Sequence, residues 1–243
     1  MERKNKVVMG ELLLKVLYWC IGVVCSFAVL LIVLFTSMEL TLKGDFFEKE
    51  YTKYNITNDV NMQMEDLLYV TEEMMDYLYD KRENLNIETI VAGEKREFFN
   101  EKEKAHMADV KDLFLKAKMI RRVCILITIA SIVFFLYSKK FFYISKAFQI
   151  VTGVFLCLTV GLFVLISTDF TKYFYLFHEM FFTNDLWLLD YRTDLLINIV
   201  PEPFFVDTAV KSGLLFAVII VVLFMISTIQ MKRIKKQKQR IEL

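Results

Sequence analysis

Residues 212–231 read SGLLFAVIIVVLFMISTIQM, twenty consecutive positions without a charged side chain. A helix of this length and composition matches the roughly 30 Å hydrocarbon core of a bilayer. Three more uncharged stretches occupy residues 16–38, 123–138 and 147–168. The whole chain of 243 residues is 56% hydrophobic, which is above the usual value for soluble proteins. This pattern predicts a mainly α membrane protein with four transmembrane helices.

Two of these stretches could be read as something other than a transmembrane helix. Residues 123–138 are short for a span, but Arg122 and Lys139 flank them and can extend their charged groups to the two interfaces. Residues 16–38 are too long for the apolar core of a signal peptide and have no clear cleavage site after them. Both stretches are therefore predicted to be uncleaved spans.

Orientation follows from the basic residues, because Lys and Arg near the ends of spans stay in the cytoplasm. They lie in the N-terminal tail, between the second and third spans, and in the C-terminal tail (Arg3, Lys4, Lys6, Lys15; Lys139, Lys140, Lys146; Lys232, Arg233, Lys235, Lys236, Lys238, Arg240). This predicts a multi-pass membrane protein with both termini in the cytoplasm. The predicted order is a cytoplasmic tail and first span (1–38), an extracellular cap (39–122), two spans with a short cytoplasmic turn (123–168), a second extracellular segment (169–211), and a fourth span with a basic cytoplasmic tail (212–243).

The predicted cap has local patterns of its own. Residues 58–81 place apolar side chains at helical spacing, which predicts an amphipathic helix. Residues 85–92 and 94–99 predict a short β hairpin with Ile87, Ile90 and Phe98 facing inward. Residues 42–54 are predicted to be irregular. In the spans, small residues are expected to allow close helix approach, at Gly22, Gly153 and Gly161.

Composition excludes several classes of function. The formal net charge of +1 argues against a broad nucleic-acid-binding surface. No CxxC, HExxH, GxSxG or phosphate-loop pattern occurs, and the four cysteines all fall in predicted spans. The sequence implies no cofactor and no metal site, and it gives no reason to expect more than a monomer.

Only two histidines occur in the chain, and both fall in predicted extracellular segments. His106 lies in FFNEKEKAHMADVKDLF (98–114), where Asp109 stands one helical turn later and can orient its ring. His178 precedes Glu179 in FHEMFFTNDLWLLDYRTDLLINIVPEPFF (177–205). An isolated histidine is usually a solvated or capping residue, so the case for chemistry rests on the placement of this rare pair.

Aromatic side chains surround His178 in the sequence. An interfacial aromatic belt explains such rings without any activity; as an active-site wall they would exclude water, and the candidates are Phe181, Phe182, Trp187 and Tyr191. Arg192 lies between Asp190 and Asp194. It can pair with one of these acids, or it can orient a lipid carbonyl, a polar head or a developing oxyanion.

The two histidine motifs, His106-Met107-x-Asp109-Val110-Lys111 and Phe177-His178-Glu179, resemble those of the lipoprotein intramolecular transacylase (Lit) family of Gram-positive bacteria. The resemblance covers most of the chain. It implies four transmembrane helices with an extracellular cap, and a catalytic pair, His106 and His178, at the extracellular face. It also implies a diacylated lipoprotein substrate whose sn-2 acyl chain moves to the amino group of its own N-terminal cysteine, leaving a lyso-form.

The residues fit this chemistry independently, because histidine can act as a general acid or base near neutral pH. Asp109, Glu179 and Arg192 are supporting candidates. Two alternatives remain open at this point. The same histidines would serve a lipid-ester hydrolase or an intermolecular acyltransferase, and the architecture would also suit a non-enzymatic membrane sensor or assembly protein.

Overall fold

The computed structural model describes residues 2–241. Met1 and residues 242–243, at the ends of the predicted terminal domains, lie outside the described residues. The same holds for six side chains near the two ends: Glu2, Arg3, Lys4, Lys6, Lys238 and Ile241. The elements in chain order are α1 (Glu2–Thr41), α2 (Phe46–Lys53), α3 (Ile56–Asp59), α4 (Met64–Leu78), β1 (Glu88–Val91), β2 (Glu94–Glu97), α5 (Glu101–Ser138), α6 (Phe141–Thr168), α7 (Phe170–Phe181), α8 (Leu195–Ile199) and α9 (Glu202–Ile241).

Within the described residues, four helices are long and apolar enough to cross a membrane: α1, α5, α6 and α9. Each contains one of the four predicted spans, so the predicted fold class is confirmed. The helices are longer than the apolar stretches, because the charged residues next to those stretches are also helical. In α5, eleven of residues 101–122 are charged, so only its apolar part, 123–138, can lie in lipid.

The chain divides into two compact units. The first comprises the described residues of Met1–Ser37, Ile120–Leu165 and Gly213–Leu243. Gly22 approaches α6 so closely that an added Cβ would lie 3.0 Å from Cβ of Ala147. The predicted close contact at Gly22 is thus confirmed. The same prediction was wrong for Gly153 and Gly161, because an added Cβ at either residue would have no neighbouring atom within 4 Å.

The second unit comprises Met38–Met119 and Ile166–Ser212. Its core is built from side chains of α2, α4, the hairpin and α8, including Tyr51, Leu67, Ile87, Phe98 and Ile199, each no more than 1% exposed. The buried hydroxyl of Tyr51 is not left unpaired, since it shares a hydrogen bond of 2.7 Å with the hydroxyl of Thr71. These contacts fix α2 against α4.

Two helical predictions need correction in this unit. Residues 42–54 are not irregular, because α2 forms there and buries Phe46, Phe47 and Tyr51. A short helix of this kind gains its stability from tertiary packing. The predicted helix 58–81 is divided into α3 and α4 around Asn61, whose φ of 52° cannot continue a right-handed helix.

The predicted hairpin is present, with Val91 paired to Glu94 around a turn in which Ala92 and Gly93 both have positive φ. Two such residues produce the turn that matches the twist of paired strands. Ile87 and Phe98 are buried as predicted. The prediction for Ile90 was wrong: side chains alternate along β1, so its neighbours face inward and Ile90 is 50% exposed.

Candidate active site

His106 and His178 lie side by side in the second unit. His106 is in the charged first part of α5 and His178 is in α7, and their ring centroids are 6.1 Å apart. Their exposed fractions are 7% and 8%, so both imidazoles are almost entirely removed from water. Two distant segments thus bring the only histidines of the chain into one buried pair. Both rings are within reach of a single bound group.

Aromatic side chains enclose the pair. Trp187 stacks on His178 with a centroid distance of 4.8 Å and an interplanar angle of 29°. Phe182 contacts both histidines, at 5.3 Å from His106 and 5.5 Å from His178. Phe174, one turn before His178, packs against its ring at 4.3 Å. The histidines therefore lie in an apolar setting.

The backbone determines the tautomer of His178. Its Nδ1 lies 2.7 Å from the carbonyl oxygen of Phe174, and a carbonyl can only accept a hydrogen bond, so Nδ1 carries the proton. In the neutral ring, Nε2 then holds a free lone pair. His106 differs, because its buried Nδ1 has no hydrogen-bond partner among the described residues. The two rings are therefore chemically unequal.

Burial favours the neutral form of both rings. Loss of water, and after it the neighbouring His178, lower the pKa of His106 to about 4 against the opposing effect of Asp109. Burial also lowers the pKa of His178, although its hydrogen bond to Phe174 acts in the opposite direction. Both imidazoles are consequently neutral at pH 7 and available as bases.

The supporting candidates fall in different places. Asp109 does not bond to His106; within the described chain its carboxylate accepts a hydrogen bond of 2.9 Å from Nδ2 of Asn184. That bond ties α5 to the segment after α7. Arg192 is engaged through two of its nitrogens by the carboxylate of Asp190, on an exposed surface. Of the two acids considered for Arg192, Asp190 is therefore its partner.

Only two of the four aromatic candidates contact the histidines. Phe182 and Trp187 contact the histidines, whereas Phe181 is 50% exposed and packs on Phe177, and Tyr191 is 71% exposed. A cleft of about 470 Å³ adjoins the pair, with Phe182 and Trp187 in its wall. Glu179, which follows His178 in the chain, also lines this cleft, and no hydrogen bond joins its carboxylate to either histidine among the described residues. The full lining is Tyr175, Glu179, Phe182, Thr183, Asn184, Asp185, Trp187 and Leu188.

Sequence reasoning missed three contributors to this site. The carbonyl of Phe174 is a backbone atom and leaves no signal in the sequence. Asn184 was unrecognised because its partner is 75 residues away. Glu103 had a readable signal: Asn100 and Glu103 have the spacing of a capping box at the start of α5.

Comparison with solved structures shows the same architecture in a membrane-integral protein. The in meso structure of the lipoprotein intramolecular transacylase Lit from Bacillus cereus superimposes with a TM-score of 0.73 at 21% identity, covering 90% of this chain and 98% of that chain. A variant of the same protein with one histidine replaced by alanine gives 0.73 at 20% identity, covering 96% and 99%. Among curated proteins, none matches this chain significantly.

The profile of the lipoprotein intramolecular transacylase Lit family matches residues 23–205, which is more than half of the chain. The fold and this match together define the class: the protein is an acyltransferase integral to the cell membrane. The chain belongs to the Lit family. The matched residues include both histidines and the aromatic side chains that enclose them.

Proposed function

We propose that this protein transfers the sn-2 acyl chain of a diacylglyceryl lipoprotein to the α-amino group of that lipoprotein's own N-terminal cysteine, leaving a lyso-form. His106 and His178 act as the general acid and base pair. The observation that carries the proposal is the pair itself: two imidazoles from distant segments, each more than nine-tenths buried, with centroids 6.1 Å apart. Family membership supplies the reaction class.

The reaction exchanges an ester for an amide. The amine nitrogen attacks the acyl carbonyl carbon and loses a proton, the bond from that carbon to the glyceryl oxygen breaks, and the released oxygen gains a proton. No oxidant, reductant or protein nucleophile is needed, because donor and acceptor belong to one molecule. Each proton transfer by a positioned side chain typically contributes about 10² to 10⁴ in rate.

His178 is the better candidate for the base that takes the amine proton. Its Nδ1 donates to the Phe174 carbonyl, so the lone pair of a neutral ring is on Nε2. His106 is then the acid: as a neutral imidazole it donates its N–H proton to the departing glyceryl oxygen and takes up, on its other nitrogen, the proton that His178 removed, so both rings end neutral. The low pKa of His106 suits this role, because an imidazole that holds an added proton weakly passes it on readily.

The aromatic enclosure supports transfer to the amine. Water competes with the amine for the same acyl carbonyl, and its exclusion protects the product. Phe182 and Trp187 shield the histidines, and the adjoining cleft offers an apolar wall next to polar groups. An amphiphilic partner such as a diacylated lipoprotein in membrane lipid matches this mixture. The protein is proposed to act as a monomer with its site at the extracellular face.

The test is incubation of the purified protein with a synthetic diacylated lipopeptide, followed by mass and N-terminal analysis. Wild-type protein should yield a product of unchanged mass whose cysteine amine is blocked. His106→Ala and His178→Ala should each lower the rate by roughly 10² or more. Tyr191→Ala, which removes an exposed aromatic ring outside the pair, is the matched control and should keep wild-type activity.

Two results would contradict the proposal. Full activity of either histidine variant would exclude acid–base catalysis by the pair. Free fatty acid as the main wild-type product would identify a hydrolase, and transfer to a second lipopeptide, detected with an isotope-labelled acceptor, would identify an intermolecular acyltransferase. Folding of each variant is checked by thermal unfolding in detergent.

A further inference from the structure

A buried hydrogen-bond network precedes His106 at the start of α5. Glu103 accepts a hydrogen bond of 2.7 Å from the backbone N–H of Asn100, and Asn100 accepts one of 3.0 Å from the N–H of Glu103. This reciprocal pair is a capping box, which satisfies amide groups that have no partner within the helix. Glu103 is 1% exposed, which is far more burial than a capping box alone requires.

The same carboxylate also binds a second element. Its Oε1 accepts a hydrogen bond of 2.6 Å from the N–H of Leu196, the second residue of α8. Asn100 donates through Nδ2 to Asp194 at 2.9 Å, and Asp194 is 4% exposed. Lys102 donates to the carbonyl of Leu188. We call Asn100, Lys102, Glu103, Leu188, Asp194 and Leu196 the Glu103 network.

The Glu103 network connects the two parts of the proposed active site. Glu103 stands three residues before His106, so both side chains lie on one side of α5. At the other end, Leu188 follows Trp187, whose ring stacks on His178. Glu103 fixes Leu196 directly and Asp194 through Asn100, and its neighbour Lys102 fixes Leu188; together they hold the segment that follows Trp187 on the helix that carries His106.

From this connection we propose that Glu103 is a positioning residue that keeps Trp187 over the histidine pair and so favours acyl transfer over hydrolysis. This inference rests on the proposed function. In transfer, the amine nitrogen forms the new bond to the acyl carbon and the glyceryl oxygen leaves with a proton. In hydrolysis, water attacks the same carbon, and the products are a free fatty acid and a lyso-lipopeptide with a free amine.

Geometry explains why the balance depends on Glu103. The amine is tethered to the acyl chain within one substrate, and its advantage over water comes from orientation and from a closed site. If the segment carrying Trp187 moves away from His178, water gains access and the amine loses alignment. The base and the acid remain in place, so ester cleavage continues with the wrong acceptor.

The test compares Glu103→Gln with wild type on the diacylated lipopeptide, measuring N-acylated product and free fatty acid by mass spectrometry. Glutamine has the shape of glutamate, but its NH₂ group cannot accept a hydrogen bond. One of the two backbone N–H donors, that of Asn100 or that of Leu196, therefore loses its acceptor. The kcat for transfer should fall about tenfold to a hundredfold with little change in KM, because a small misplacement is costly at this step. The share of fatty acid should rise several-fold.

Glu101→Gln is the matched control. It changes an exposed carboxylate two residues earlier in the same helix, whose described partner is Lys104, and should leave the product ratio unchanged. Lys102→Met provides a second variant that keeps Glu103 but removes the contact to Leu188 and the 3.7 Å ion pair with Asp194, and it should raise the fatty-acid share as well.

The outcomes separate the hypotheses. A folded Glu103→Gln protein with the wild-type product ratio overturns the inference, and so does a wild-type ratio in Lys102→Met if Glu103→Gln fails to fold. A general loss of stability would change the unfolding temperature without changing the ratio. If wild-type protein forms no N-acylated lyso-form product, the proposed function fails, and this inference fails with it.

Discussion

At the residue scale, His178 owes its chemistry to its immediate neighbours. The Phe174 carbonyl holds Nδ1–H, and Trp187 covers one face of the ring. A side chain in this position cannot rotate to exchange its two nitrogens without losing a buried hydrogen bond. The neutral ring is thus oriented before any substrate arrives, which reduces the reorganisation required during reaction.

The pH dependence of activity should reflect this burial. The pKa of His178 is lowered by burial, and that of His106 is lowered to about 4, so both rings lose a bound proton below the ordinary value of about 6.5. The neutral form is the active base, and the attacking amine, whose usual pKa is about 8, must also be neutral; kcat/KM corrected for the fraction of neutral amine should therefore be constant above about pH 6.5 and fall only as pH drops through the lowered pKa. A kcat/KM profile measured from pH 4 to 8 tests this expectation.

A half-maximal value at or above pH 6.5, after correction for the fraction of neutral amine, would contradict that expectation. Trp187→Ala is the informative comparison, because removal of the indole admits water to His178 and should move the acid limb upward. Tyr191→Ala, whose ring is exposed, should leave the profile in place. A shift in both variants would point to a general effect on folding.

At the element scale, two ion pairs join α2 to the first part of α9 within the second unit, Lys53 with Asp207 and Lys211 with Glu50, and the second contains the more buried carboxylate. Nζ of Lys211 lies 2.6 Å from Oε1 of Glu50, and the Glu50 side chain is only 2% exposed. A buried carboxylate that loses its partner keeps the full penalty of its lost hydration. The Lys211 side chain is 44% exposed, which reduces the effect through solvent screening.

Lys211→Met should therefore destabilise the protein by roughly 1–3 kcal/mol, measured as a lower unfolding temperature in detergent. Lys49→Met is the control, because its pair with Asp45 is exposed on both sides and contributes little. Equal stability of the two variants would show that the buried pair has no special role. Activity per folded molecule should stay the same in both.

The elements also show where sequence reasoning succeeded. The four spans were predictable because an uncharged run of sufficient length has few alternatives to crossing a membrane. Helix α7 was missed as an element, although Phe170, Phe174 and His178 recur every four residues and end on one face. The aromatic content of residues 177–205 suggested a loop and concealed this helical period.

The site was only partly predictable for a related reason. The histidines were found because they are rare, and Phe182 and Trp187 because they are aromatic. The bond between Asp109 and Asn184 joins distant segments, and a nearby partner, His106, seemed the natural choice for Asp109. Contacts between distant residues depend on the tertiary fold, so local spacing misassigned Asp109.

At the scale of the whole molecule, the predicted orientation puts the second unit outside the cell and both termini in the cytoplasm. Cysteine labelling tests it in intact cells, after replacement of Cys20, Cys25, Cys124 and Cys157 by alanine. An exposed reporter, Tyr191→Cys, should react with a membrane-impermeant maleimide without permeabilisation.

The matched control for orientation is Lys236→Cys in the basic C-terminal tail, which should react only after the membrane is permeabilised. The opposite labelling of both positions would invert the orientation and move the proposed site to the cytoplasmic face. Labelling of both from outside would exclude a fixed four-span topology. The family assignment itself does not depend on this result.

The stacking of Trp187 on His178 has a practical consequence. The chain has two tryptophans, and replacing Trp19 with phenylalanine leaves Trp187 as the sole indole emitter. An imidazolium quenches indole fluorescence more strongly than a neutral imidazole, so the emission intensity of this single-tryptophan protein follows the charge of His178. The fluorescence of Trp187 can therefore serve as an intrinsic probe of the site, and substrate entry can be followed by a change in its emission intensity without an attached dye.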